Sequence, residues 1–205
     1  FEYWAYSFIF IKDKVSPKDI PFKLNRAQRR VLNKLEKLRK AGKPIKFILL
    51  KARQWGGSTL VQIYMLWIML VHRRNWNTVI CGDVETQSRN VRAMITKALN
   101  KYPSYLLGET VKFTPFEGSS KNKVIQNTNC VVSIGSFQKP DTLRSGDISG
   151  AHLTEIGLWR ATPGKKPEDL IQSISGSIYD TAYTILGLES TAKGVGNFFH
   201  RTWQQ

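Results

Sequence analysis

Residues 51–59, with the sequence Lys-Ala-Arg-Gln-Trp-Gly-Gly-Ser-Thr, are of types that bind phosphate. They follow the apolar run 47–50 and precede the apolar run 60–71, an order that predicts a strand, a loop of small residues and a helix. Backbone N–H groups of such a loop, together with the helix N-terminus, can cradle a phosphate chain. The alternative is an ordinary strand-to-helix turn, because small residues are common in such turns.

The stretch matches the phosphate-loop pattern G-x-x-x-x-G-K-[ST] only in part. Gly56 and Ser58 fall in place, whereas Lys51 replaces the first glycine and Gly57 replaces the lysine. Arg53 is a nearby cation that can reach the phosphates in place of that lysine. Ser58 supplies a hydroxyl for Mg²⁺, and Thr59 does so if the loop is read one residue later.

Polar residues also follow two later apolar runs. Thr154-Glu155 ends the run 148–153, and Glu189-Ser190-Thr191 ends the run 183–188. Since ligands bind at the carboxyl ends of parallel strands, we expect both groups to share an edge with the 51–59 loop. Glu155 there can orient or deprotonate an attacking water, although it can also be a surface acid in a turn. Thr154 stands where an aspartate usually holds the water shell of magnesium; it adds no charge.

Two more residues are candidates for contacts with a nucleotide. Arg144, in the loop 141–146, can stabilise developing charge in its own subunit or in a neighbour, or it can be a solvated or nucleic-acid-contacting arginine. Gln28 lies in a turn before a helix, where its amide can pair with the edge of an adenine. The alternative for Gln28 is a simply exposed side chain.

The elements that must position these residues alternate between strands and helices. Asn25 is expected to cap a helix that ends near Ala41. Strands are predicted at 47–50, 78–81, 148–153 and 183–188, a hairpin at 123–136, and helices after Ser58 and at 85–100, 167–175 and 195–203. This alternation predicts an α/β fold with a mainly parallel sheet.

The charge of the chain points to a polyanionic partner. The formal net charge is +16, and residues 21–53 contain twelve Lys or Arg and a single acid, Glu36. Nucleic acid fits this balance, and such binding is strongly salt-dependent; a solvated basic face without a partner is the alternative. Cys81 and Cys130 lie in apolar runs and are expected to be reduced core residues. The longest apolar run is too short to span a membrane.

The order of these motifs resembles that in the large terminase subunit of tailed bacteriophages. The resemblance covers about residues 20–200, and the segment 189–199, Glu-Ser-Thr-Ala-Lys-Gly-Val-Gly-Asn-Phe-Phe, is its most specific part. The other segments that carry it are Phe22 to Gln28, Ala52 to Ser58, Leu143 to Gly146 and Ala151 to Glu155. It implies a P-loop NTPase-type fold with helices on both faces of the sheet, and an ATPase that drives double-stranded DNA into a capsid with ATP and Mg²⁺.

The resemblance also assigns roles to individual residues. Glu155 is the expected catalytic carboxylate, assisted by Arg53, which matches the characteristic arginine of these loops, and by Arg144. The magnesium site would involve Ser58 and, through water, Thr154. The expected ATP-binding residues are Gln28, Ala52, Arg53, Gln54, Trp55, Gly56, Gly57, Ser58 and Thr59. Ser190, Thr191 and Ala192 resemble the motif that couples hydrolysis to movement.

The same resemblance sets expectations about organisation and partners. We expect one ATPase domain over residues 1–205, with an N-terminal segment at 1–46 and a P-loop core at 47–205. The nuclease domain of the family would lie outside this chain, so no nuclease activity is expected from it. Expected partners are DNA, a viral portal protein, the small terminase subunit and further copies in a ring, in the host cell cytoplasm and without a membrane. A helicase-like ATPase and a degenerate, non-hydrolysing nucleic-acid-binding module are the alternatives.

Overall fold

A computed structural model describes residues 1–13, 15–143 and 147–205 of the chain. The strands are β1 (Phe10–Lys12), β2 (Asp19–Pro21), β3 (Ile45–Leu50), β4 (Thr78–Gly82), β5 (Phe113–Phe116), β6 (Ser119–Ile125), β7 (Cys130–Ser136), β8 (Gly150–Thr154) and β9 (Ile185–Ser190). The α-helices are α1 (Glu2–Phe8), α2 (Arg26–Lys40), α3 (Gly57–Trp67), α4 (Glu85–Asn100), α5 (Pro167–Gly176) and α6 (Phe198–Gln204). A wider helical turn extends α3 through His72.

The central sheet has seven strands in the order β3-β9-β8-β4-β7-β6-β5. The first five run parallel, and β6 and β5 continue the sheet as antiparallel strands. β1 and β2 form a separate antiparallel pair. The predicted hairpin is confirmed, since Ile125 at the end of β6 pairs with Cys130 at the start of β7.

Helices cover the sheet on both faces, which confirms the expected fold class. Buried side chains of α1 to α4 pack against one face, together with residues such as Ile80 and Ile134 of the sheet. α5 and α6 cover the other face, where Val79 and Leu153 point. Cys81 and Cys130 are free and buried, as expected. Among the described residues, no helix combines the length and the apolar composition needed to cross a membrane.

The sequence patterns missed α1, β1, β2 and β5. Two of these are three-residue strands, and α1 has only seven residues, so none shows a full hydrophobic period. β5 contains Pro115, which lowers the strand signal but is tolerated because β5 is the edge strand of the sheet.

The strand order brings three distant segments of the chain together. β9 lies between β3 and β8, so the carboxyl ends of these three strands are neighbours. Glu189 pairs in register with Leu49 on one side and with Thr154 on the other. The residues that follow β3, β8 and β9 therefore meet at one edge of the sheet.

A close contact at the start of β8 allows the packing of this sheet to be tested by mutation. A Cβ atom on Gly150 would lie 2.4 Å from Cη2 of the buried Trp76 indole. We expect Gly150→Ala to lower the free energy of unfolding by about 1–3 kcal/mol, because the rigid ring must move. The matched control is Gly176→Ala at the end of α5, where a Cβ meets nothing within 4 Å. Urea unfolding should separate the two variants; equal midpoints would contradict this packing.

Candidate nucleotide-binding site

The N-terminus of α2 holds the loop between β3 and α3 in place. Asn25 caps α2 as predicted, and its side chain and that of Gln28 exchange hydrogen bonds with each other's backbone N–H at 2.9 Å. The Asn25 amide also donates to the Trp55 carbonyl, and the Gln28 amide donates to the Gly56 carbonyl, both at 2.9 Å. Gln28 therefore lies in the first turn of α2 and not in a turn before it, and it is buried and not exposed. Both polar atoms of its amide are engaged, so the adenine contact stays a prediction.

Gly56 and Gly57 are required by the shape of the loop. Gly56 has φ +83°, and a Cβ there would lie 2.7 Å from the Gln28 amide nitrogen. At Gly57, a Cβ would lie 2.6 Å from Cζ2 of Trp55. The indole thus occupies the space in which the side chain of the pattern's lysine would begin. This packing gives a physical reason for the glycine that stands in place of the lysine.

Lys51, directly after β3, supplies a cation at the centre of the site. Its Nζ lies 2.7 Å from Glu155 Oε1 and 3.8 Å from Glu189 Oε1, and its side chain is only 7% exposed. Arg53, the cation favoured by the sequence patterns, is exposed and forms no ion pair within the described part of the chain. Lys51 was not recognised from the sequence because it stands where the phosphate-loop pattern has a glycine.

Glu189, at the end of β9, is fully buried beside Lys51. Its Oε1 accepts hydrogen bonds from the hydroxyls of Ser58 and Thr154, the latter at 2.7 Å. Burial raises the pKa of this carboxyl, but His152, Lys51 and Ser58 outweigh that effect and lower the pKa to about 2. Glu189 is thus ionised at neutral pH. Its second oxygen, Oε2, is buried and lacks a hydrogen-bond partner among the described residues.

Glu155 touches the segment that resembles the coupling motif. The backbone N–H and the hydroxyl of Thr191 donate to Glu155 Oε2 at 3.4 Å and 3.2 Å. Glu155 has φ +57° and ψ +37°, a left-handed conformation that is uncommon for this residue type and clusters at functional sites. Ser190 is buried and accepts from the Gly157 N–H at 2.9 Å, whereas Ala192 is exposed. The expected catalytic carboxylate and the segment 190–192 are therefore in direct contact in this fold.

A cleft of about 290 Å³ opens in front of these groups. Ser58, Thr59, Thr154 and Glu155 line one part of it, and side chains of α3 and α4 line the rest. The second oxygen of Glu189 and the two hydroxyls beside its carboxylate are donors of the type that Mg²⁺ prefers. The residues present thus fit a magnesium-nucleotide. Gln54 is exposed on the loop, and Arg144 lies outside the described residues.

The fold is of the P-loop NTPase type, and it is similar to solved structures of large terminases. The large terminase of bacteriophage HK97 matches with a TM-score of 0.70 and 21% identity over 92% of this chain and 36% of that chain. The ATPase domain of the Thermus phage P74-26 large terminase matches with a TM-score of 0.53 and 14% identity, covering 84% of this chain and 72% of that one. The large terminase of a thermophilic bacteriophage, in complex with ADP, matches with a TM-score of 0.51 and 13% identity, covering 82% of this chain and 38% of that one.

The chain therefore has the fold of a large terminase ATPase domain, as the motifs predicted. It spans little more than a third of the HK97 terminase and of the ADP-bound terminase. No protein-family model and no curated protein sequence matches it.

The buried charges predict a pH-dependent effect of removing Lys51. Lys51→Met leaves Glu155 and Glu189 without their ammonium, so we expect a loss of about 2 kcal/mol of stability at neutral pH. The pKa of Glu189 is about 2 when folded against an ordinary value of 4.5, so the stabilisation exists above pH 4.5 and disappears as the pH falls toward 2. The cost of Lys51→Met should accordingly shrink as the pH falls from about 4.5 toward 2.

Urea unfolding of wild type and variant at several pH values measures this effect. The matched control is Lys46→Met on β3, because Lys46 is half exposed and pairs with the surface residue Asp180. We expect a change within about 0.5 kcal/mol for this control at every pH. An equal cost for both lysines would contradict a central role of Lys51.

Proposed function

We propose that this chain is the ATPase domain of a viral DNA-packaging motor, which couples ATP hydrolysis to the movement of double-stranded DNA into a capsid. One observation carries the proposal. On a terminase ATPase fold, Ser58 of the loop helix and the carboxylates of Glu155 and Glu189 meet at the ends of adjacent strands, in contact with Thr191. Phosphate binding, water activation and coupling need such groups within reach of one another.

Each group has a role in this scheme. The backbone of the 51–59 loop and the N-terminus of α3 bind the phosphates. Lys51 supplies the positive charge that the common pattern provides with a lysine at the position of Gly57. Glu155 orients or deprotonates the attacking water. Arg53 and Arg144 neutralise developing charge, in the same subunit or in a neighbour. Bound Mg²⁺ would be held near Ser58 and would neutralise phosphate charge.

Lys51 and Thr191 both bind the carboxylate of Glu155. Phosphates that attract Lys51 would weaken its ion pair with Glu155. Glu155 would then be held by Thr191 alone, so binding of nucleotide is transmitted to the segment 190–192. The contact between Glu155 and Thr191 would therefore connect ATP hydrolysis with the segment 190–192, which resembles the coupling motif.

The degenerate-module alternative loses its main support in the structure. Gly57 and Thr154 favour this alternative because they replace a lysine and an aspartate, but a buried lysine and a buried glutamate lie within the same site. The helicase-like alternative is not favoured either, because the neighbours in structure are terminase ATPase domains.

Steady-state ATP hydrolysis with Mg²⁺ tests the enzymatic part of the proposal. We expect Glu155→Gln to lower turnover by about 10²-fold or more, since it removes the base but keeps the shape. Glu168→Gln, a surface acid paired with Arg201 in α6, is the matched control and should keep full turnover. Activity that rises faster than linearly with protein concentration would support a ring of subunits. Unchanged turnover in Glu155→Gln would remove this residue from the scheme.

Double-stranded DNA is the partner we propose for the basic side of α2. Arg26, Arg30 and Lys34 are exposed at helical spacing on a helix whose N-terminus holds the nucleotide loop. Phosphates bound along this helix would lie close to the site of hydrolysis. We further propose contacts with a portal protein and a small terminase subunit in the cytoplasm of the host cell.

Salt-dependent DNA binding tests the role of α2. Replacing two phosphate contacts should lower the slope of log affinity against log salt by about 2, so we expect Arg30→Gln/Lys34→Gln to bind duplex DNA more weakly and with a shallower slope. Lys12→Gln/Lys18→Gln removes the same charge from exposed positions around the β1–β2 pair and is the control. Equal losses in both variants would mean that net charge, and not this helix, attracts DNA.

A further inference from the structure

Thr154 leaves the site without the carboxylate that the resemblance places at the end of β8, and the strand next to β8 carries one. Thr154 and Glu189 are register partners in the parallel pair of β8 and β9, so they lie side by side at the same height of the sheet. Neighbouring strands are about 4.8 Å apart. A glutamate side chain is one methylene longer than an aspartate and can reach across that gap.

The hydrogen bonds of Glu189 show where its carboxylate lies. It accepts a hydrogen bond from Thr154 Oγ1 at 2.7 Å and another from the hydroxyl of Ser58, the residue expected to bind the metal. Its Oε2 has no partner among the described residues although it is fully buried. Burying a charged oxygen without a hydrogen-bond partner costs free energy. An ion or an ordered water bound to this oxygen would remove that cost.

We propose that Glu189 is the acidic residue that positions the magnesium-nucleotide in this site, in place of an aspartate at position 154. The inference rests on the proposed ATPase function. It assigns the positioning of the magnesium-nucleotide to a residue of β9 and not to one of β8. Glu189 would hold the water shell of the metal through Oε2 while Oε1 orients the Ser58 hydroxyl. Thr154 becomes a hydrogen-bond donor that fixes the rotamer of Glu189.

A purely structural role for Glu189 is the competing explanation, because it also neutralises Lys51 and lies 3.5 Å from His152 Nε2. The two explanations differ in what happens to nucleotide affinity with and without metal. A positioning carboxylate favours the metal-bound nucleotide and repels the bare phosphates. A structural counter-ion affects both forms in the same direction.

The experiment measures the Kd of ATPγS for each variant, once in EDTA and once in Mg²⁺. The quantity compared is the Kd in EDTA divided by the Kd in Mg²⁺. Loss of residues that orient a metal's ligands typically costs about 10–100-fold in metal affinity, so we expect Glu189→Gln to reduce the ratio by at least 10-fold. Its affinity in EDTA should be equal or tighter, since one negative charge facing the phosphates is gone. Glu109→Gln, at a surface glutamate paired with Lys112, is the matched control and should keep the ratio.

The decisive variant returns the carboxylate from position 189 to position 154. Thr154→Asp/Glu189→Gln should recover most of the wild-type ratio, because an acid again faces Ser58. It also restores a negative charge near Lys51, so it decides the question if Glu189→Gln alone does not fold. An unchanged ratio in Glu189→Gln, or no recovery in the folded double variant, would overturn the inference. A wild-type protein that binds no nucleotide would instead refute the proposed function on which the inference rests.

Discussion

Burying the carboxylate of Glu189 between parallel strands would cost several kcal/mol if nothing compensated its charge. The compensation comes from His152 and Thr154 of β8, from Lys51 directly after β3, and from Ser58 in the first turn of α3. Each of these side chains must stay close to one carboxylate for the fold to be stable. The network therefore fixes the relative positions of the phosphate loop and of two strand ends before any ligand binds, and this preorganises the site.

The loop itself is constrained from the opposite side by packing. Gln28 fixes the carbonyl of Gly56, and the indole of Trp55 covers Gly57, so the loop cannot accept a side chain at either glycine without rearranging. The position that carries a lysine in the common pattern is thus closed by an aromatic ring. If the loop binds phosphates, as we propose, the cation comes from another part of the loop, and Lys51 lies among the carboxylates.

Local signals in the sequence predicted most of the elements but not the pairs of residues that define the site. The Asn25 cap, the strand before the loop and the hairpin of β6 and β7 depend on neighbouring residues, and they were confirmed. Short-range patterns also predicted that polar groups would meet at one edge of the sheet. They did not show that β9 lies between β3 and β8, which depends on long-range pairing, and so Glu189 was not recognised as facing Ser58.

Thr154, one of the two departures from the common pattern, is connected with Lys51 through these buried charges. The side chain of Lys51 lies deep in the site, with only 7% of it exposed, and its charge is compensated by the carboxylates of Glu155 and Glu189. An aspartate at 154 in addition to Glu155 and Glu189 would place three acids against that single ammonium, and like charges so close together raise one another's pKa. With Lys51 as the cation and Glu189 as the buried acid, a neutral hydroxyl at 154 is the arrangement that balances charge. Changing either position alone would upset this balance, so we infer that lysine at 51 and threonine at 154 depend on each other.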